Sequence, residues 1–286
     1  MTATTRSSQG DASRSVMGAV DALPPLPAVA LRVMQVAQDP KSSASDLAIV
    51  ISSDPGLSAR ILKIVNSAAY RRSREITSVQ EALVMLGFVQ ARNVAISGAI
   101  AGAYAPDAGN ALFRIETFWR HSIAVAFRAS ELAGKSRRLD VPSAFTAGIL
   151  HNMGRLALFY HDAAGLDQAV AEAIRRDVPL ESVEYELLGF DHTDIGGRLA
   201  EKWHLPDDIA EAIRHHHGNH SDEITLRGVV SAADAFCVEN GVFPGYIIPG
   251  PLGQRGDPGD DFLRLMKQVE ALMQLVTGNP VGVRAA

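Results

Sequence analysis

Nine histidines mark the 286-residue chain, and most lie in its second half. His121 sits in FWRHSIAVAF, His151 precedes Asn152 in GILHNMGRL, and His192 lies in GFDHTDIGGRLAEKW. His215, His216 and His217 run together in IRHHHGNH, with His220 just beyond, and Asp234 lies in VVSAADAFC. Imidazole nitrogen and carboxylate oxygen suit Fe, Mn, Zn or Co. Helices that each present one such ligand can converge on a single cavity. Taken singly, each residue has a plainer reading. A lone mid-helix histidine such as His121 is more often a hydrogen-bonded core residue, and a histidine run near a helix end is more often a solvated, dipole-favoured cluster. Asp234 could simply pair with a histidine, and His161 and His204 read as surface residues. The His151–Asn152 pair differs, because AFTAGILHNMGRLALFY is apolar nearly all round and must be buried. A buried polar pair needs partners.

Elements that could position such a set are almost all helical. Apolar residues recur at spacings of three and four, and β-branched alternation is scarce. Asp54 and Pro55 predict a clean helix start, with Leu57, Ile61, Ile64 and Ala68 on one face. Ser78 and Glu81 have the spacing of a capping box, and Gly87 can end that helix. A further helix is predicted over Phe88 to Ala103. After a joint at Tyr104 to Ala111 come Phe113 to Ala133, Pro142 to Tyr160, Gly165 to Arg176, Leu180 to Leu188, His192 to Trp203, Pro206 to His217 and Glu223 to Asn240. A Gly/Pro-rich loop then leads to a last helix over Asp261 to Val276. No repeat of fixed period points to a solenoid.

Composition narrows the function classes. Lys and Arg number 27 against 32 Asp and Glu, a net charge of −5, so nucleic acid is not an expected partner. The basic groups Arg71, Arg72, Arg74 and Lys135, Arg137, Arg138 read as solvated faces. The lone Cys237 excludes an internal disulfide and suits a reducing compartment. No apolar run reaches about 18 residues, so no membrane span is expected. The polar start, residues 1–15, reads as a disordered tail rather than a secretory signal. A cytoplasmic protein is the expectation.

These segments together resemble the HDOD family, a branch of the HD phosphohydrolase superfamily. LPPLPAVALRVMQVAQDP, ASDLAIVISSDPGLSARILKIVNSAAY and ITSVQEALVMLGF carry the likeness in the first half. FWRHSIAVA, AFTAGILHNMGRL, YELLGFDHTDIGGRLAEKWHLPDDIAEAIRHHH and VVSAADAF carry it in the second. The resemblance implies an all-α fold, with an N-terminal helical lobe over 16–105 packed on an HD-like lobe over 106–240. Residues 241–286 add the Pro/Gly-rich loop and a C-terminal helix. It also implies a bacterial signalling or regulatory role, by binding a protein partner or a small ligand. Such proteins often work beside cyclic-dinucleotide modules and are generally regarded as lacking hydrolase activity. With no attached receiver or output domain, the chain would be a stand-alone example.

Mapped residue by residue, the resemblance assigns His121, His151, His192, His216 and Asp234 to the HD-type metal set, with His217 beside His216. Asn152 replaces the motif Asp. Arg155 stands where related cyclic-dinucleotide phosphodiesterases carry Lys, so Asn152, Arg155 and His217 are the candidate ligand-binding residues. No catalytic residue is assigned, and the only cofactor suggested is a divalent metal such as Fe, Mn or Zn. The Gly-Tyr-Pro signature of those phosphodiesterases is missing after IRHHHGNH. Asn keeps the shape of Asp and loses its charge, so it bridges two divalent ions poorly and leaves bound water less activated. The alternative reading is a metal-dependent phosphohydrolase acting on a nucleotide or cyclic dinucleotide. The remaining histidines could equally persist as a satisfied polar network that specifies the core.

Overall fold

The computed structural model describes residues 15–66, 74–104, 112–217, 224–246 and 259–277, with side chains to 273. The tail over 1–14, the heart of the joint after Tyr104, His220, Arg71, Arg72 and most of the Gly/Pro-rich loop lie outside them. Among the described residues there is no strand. The fold is all-α and divides into two compact units. One draws on Met1–Pro25 and Asp107–Gly256, the other on Leu26–Pro106 and Asp257–Ala286. The sequence divides the chain consecutively, whereas the compact units exchange its two ends.

The smaller unit contains α2 (Ala28–Gln38), α3 (Ala44–Ser52), α4 (Pro55–Val65), α5 (Val79–Leu86) and α6 (Phe88–Ala103). Local chemistry sets their limits. Asp54 Oδ1 accepts from the Leu57 amide at 2.7 Å, which caps α4. Ser78 caps α5 through the Glu81 amide at 3.1 Å, but the return half of the box does not form, because Glu81 pairs with Arg74 instead. Gly87, at φ +74°, turns the chain from α5 into α6. From Ala91 to Ala101 every residue of α6 is buried, and the other helices assemble around it. The last helix, Asp260–Thr277, belongs here too, and buries Leu265, Val269, Leu272 and Met273.

The larger unit opens with a short helix over 15–22, α1. It is fastened by Lys202, whose Nζ donates to Val20 O and Asp21 Oδ1, both at 3.0 Å. Its other helices are α7 (Ile115–Ser136), α8 (Val141–Leu150), α9 (Met153–His161), α10 (Ala163–Arg176), α11 (Leu180–Leu188), α12 (His192–Lys202), α13 (Asp207–Arg214) and α14 (Leu226–Glu239). The helix Asp260–Thr277 is therefore α15. The centre is α7, packed on α8 and α14, with α9 against α12. Among the described residues no single helix is long and apolar enough to cross a membrane.

Two predicted helices end differently from expectation, both at histidines. The single helix expected over Pro142 to Tyr160 is broken at His151 and Asn152, where the backbone turns between α8 and α9. A glycine on each side of the break approaches another helix closely. Gly148 lies against the backbone of α7, and Gly154 against that of α12. A Cβ on Gly154 would sit 1.9 Å from His192 O, so only glycine fits in the first turn of α9. The helix expected to reach His217 stops at Arg214, and His215 to His217 form a turn that buries His216 and sets His217 beside His192. Gly154→Ala should lower the stability of the chain by about 1–3 kcal/mol in urea unfolding, the reverse of the usual gain from Ala in a helix.

Candidate metal and ligand site

Six of the predicted residues meet inside the larger unit. His121 comes from α7, His151 from the α8–α9 break, His192 from the first position of α12, His216 and His217 from the turn after α13, and Asp234 from α14. They form two adjoining trios. One joins His121, His151 and Asp234, the other His192, His216 and His217, and within each the ligand atoms lie within 4.8 Å of one another. The trios meet where the His151 and His216 rings stand edge to face, 4.9 Å between centroids. His215, His161 and His204 stay on the surface, as read for the last two.

Each buried ring is oriented from behind through Nδ1. His121 Nδ1 donates to Val242 O at 2.7 Å, His151 Nδ1 to Gly148 O at 2.7 Å and His216 Nδ1 to Ile213 O at 2.8 Å. His192 Nδ1 donates to the Glu184 carboxylate at 2.5 Å. With Nδ1 protonated in neutral imidazole, Nε2 carries the lone pair and points inward. The Nε2 atoms approach one another closely: 3.3 Å for His121–His151, 3.4 Å for His192–His216 and 3.0 Å for His192–His217. His121 Nε2 also lies 3.0 Å from Asp234 Oδ1. Nitrogen lone pairs and a carboxylate facing one another at these distances are favourable only with a proton or a cation between them.

The electrostatics match that geometry. Burial pushes the His151 and His216 imidazoles below their ordinary range, and pushes His217 down to about 3 with His192 adding to the effect. Burial alone would raise Asp234, but His121 and His151 overcome it and hold the carboxyl well below the usual range. Neutral imidazole and ionised carboxylate are the forms that bind metals. The residues present therefore fit a divalent ion. His192, His216 and His217 could hold one, with the Glu184–His192 contact as the outer carboxylate that fixes the ring, once Arg155 Nη2, 3.2 Å from His192 Nε2, yields its place to the ion. His121, His151 and Asp234 form the second ligand set.

Asn152 changes that second set. Its Nδ2 donates to His151 Nε2 at 2.7 Å, so the lone pair that would face an ion is already taken. Because His151 Nδ1 donates to Gly148 O, Nε2 must accept, and the amide nitrogen must be the atom beside it. Asn152 Oδ1 is buried with no hydrogen-bond partner among the described residues.

Sequence reading passed over Glu184. It is fully buried, accepts from the His192 backbone amide at 3.0 Å, and meets Arg155 Nε at 3.2 Å through its other oxygen. Burial would raise its carboxyl, but His192 and Arg155 hold it well below the ordinary range. A signal was present: Glu184 shares the buried face of α11 with Leu180 and Val183, at helical spacing. Arg155 is buried as well and lies beside His192, so it is brought to the cluster as expected. Of the surface cations, Lys135 pairs with Glu131 at 2.7 Å.

An all-helical unit with histidines and one aspartate converging from separate helices defines an HD-type domain. The HDOD domain matches residues 23–219, and the chain belongs to that family. It is 25% identical over 208 residues to an uncharacterised protein of Treponema pallidum, covering 71% of this chain and 39% of that one. The chain spans about two fifths or less of the length of the curated relatives it matches. Among solved structures it is similar to a candidate signal transduction protein from Marinobacter aquaeolei, with a TM-score of 0.73 at 22% identity, covering 93% of this chain and 66% of that one. It is also similar to a candidate phosphohydrolase from Shewanella amazonensis, with a TM-score of 0.66 at 26% identity, covering 92% and 98%.

Glu184→Gln should destabilise the chain by about 3–5 kcal/mol, because it strands a buried guanidinium. In a double-mutant cycle with Arg155→Met, followed by urea unfolding, the second substitution should recover part of that loss.

Proposed function

We propose that this chain is a regulatory module that holds a divalent ion and a small ligand in its histidine cluster, without hydrolysing the ligand, and acts on a signalling protein partner. The observation that carries this reading is the Asn152 amide nitrogen 2.7 Å from His151 Nε2. A bridged pair of ions needs an anionic oxygen at this position, and here a hydrogen-bond donor faces the ring instead. Bound metal supplies positive charge and activates water. Without the bridging carboxylate, the charge needed to hold two ions together falls short.

The chain's own residues then serve to bind and orient. Glu184 and the carbonyls of Val242, Gly148 and Ile213 fix the rings, and Arg155 brings a permanent positive charge beside His192. A link to cyclic-dinucleotide signalling follows from the resemblance of the motifs, and belongs to the proposal. The second reading, a metal-dependent phosphohydrolase, is favoured by one feature: the six converging His and Asp ligands are otherwise retained.

Elemental analysis of the purified chain should find about one divalent ion per chain, lost in His192→Ala and kept in His121→Ala. Asn152→Asp should raise the metal content. A panel of nucleotides and cyclic dinucleotides should show no turnover with added Mn, Fe or Zn. Turnover that disappears in His151→Ala would put the hydrolase in place of this reading. A metal-free chain that no added ion stabilises would remove both.

A further inference from the structure

Arg155 has one edge unused. Its Nε meets Glu184 and its Nη2 lies 3.2 Å from His192 Nε2, while Nη1 is buried with no hydrogen-bond partner among the described residues. The side chain is 1% exposed. A buried, charged donor left unmade is costly, so this edge fits an acceptor brought in from outside. Arg155 lines a cavity of about 360 Å³, with His216, His217 and Asp234 beside it.

The rest of the cavity has a different character. Val178, Leu180, Val238, Pro244 and Tyr246 make it largely apolar. Tyr246 is set by its surroundings. Its ring stacks on Phe243 with centroids 6.0 Å apart and planes at 20°. The preceding Gly245, at φ +100°, lies so close to Phe113 that a Cβ would sit 2.2 Å from the ring, and Gly245 O accepts from the Arg114 amide at 2.6 Å. A polar side and an apolar side that includes Tyr246 therefore line the same space.

We propose that this cavity takes a small organic oxyanion with a single flat body, its oxygens toward Arg155 Nη1 and its flat part against Tyr246. Tyr246 is thus a specificity-determining residue. The volume lies at the low end of small-molecule pockets, which suits a ligand with one ring system. The inference rests on the reading of the cluster as a metal and ligand site. An ion on His192, His216 and His217 would offset Asp234 and Glu181, which otherwise oppose an anion.

The test is calorimetric titration of the full chain, loaded with Mn, using phenylphosphonate, inorganic phosphate and cyclic diguanylate as probes. Wild type and Tyr246→Phe should bind phenylphosphonate more tightly than phosphate. Tyr246→Ala should bind phenylphosphonate about tenfold more weakly, with phosphate affinity and metal content unchanged. Equal affinity for phenylphosphonate and phosphate would overturn the inference. So would indifference to Tyr246→Ala, or cyclic diguanylate bound as tightly as phenylphosphonate. A metal-loaded chain that binds none of the probes overturns this inference alone. A chain that holds neither metal nor phenylphosphonate overturns the proposed function with it.

Discussion

The cluster is organised by what stands behind the imidazoles. Three backbone carbonyls and one buried carboxylate take the Nδ1 protons of His121, His151, His216 and His192, which turns the Nε2 lone pairs toward one another. The three carbonyls are each tied to a helix end or turn: Gly148 and Ile213 near the last turns of α8 and α13, Val242 just beyond α14. The helix breaks at His151 and after Arg214 are therefore part of the site, since a continuous helix would use those carbonyls for its own ladder. Burial favours the neutral form of the His151, His216 and His217 rings, and a cation held among the Nε2 atoms would make the arrangement favourable throughout.

Arg155 and Glu184 extend the same logic one layer outward. Glu184 uses one oxygen on His192 and the other on Arg155, so a fully buried carboxylate is matched on both sides. Such a buried pair is weak evidence for net stability, because desolvation offsets most of the attraction. Its consequence is geometric: the His192 ring and the guanidinium are fixed relative to each other, and Arg155 also lines the cavity. Asn152 works in the opposite direction. By donating to His151 at 2.7 Å it satisfies one ring internally, while in the other trio Arg155 Nη2 lies 3.2 Å from His192 Nε2, so each half holds one nitrogen that faces a donor.

Much of this was legible from residues alone. The helical period gave α6 and α10 to α12 to within a residue or two at each end, because their caps, Gly87, Asp162, Pro179 and Asp191, are local signals. His121, His151, His192, His216, His217 and Asp234 stood out by type and order. Glu184 did not, since one Glu among several in ESVEYELLGF differs from its neighbours only by the face it occupies. The break inside AFTAGILHNMGRLALFY was equally hidden. Its apolar pattern runs on through His151, and the close approach of Gly148 and Gly154 to other helices on either side of the break is visible only in the fold.

The sequence by itself determined the helical class, the family and the identity of the polar residues, because periodicity, caps and residue type act over a few neighbouring positions. It also determined the loss of the motif carboxylate, since Asn152 carries no charge in any fold. The tertiary structure alone decided which nitrogen of each ring faces inward, which donors face those nitrogens, and that the chain's two ends belong to compact units other than those of their neighbours in sequence. Those outcomes depend on carbonyls, carboxylates and apolar faces tens of residues away, and only packing brings them within hydrogen-bonding distance.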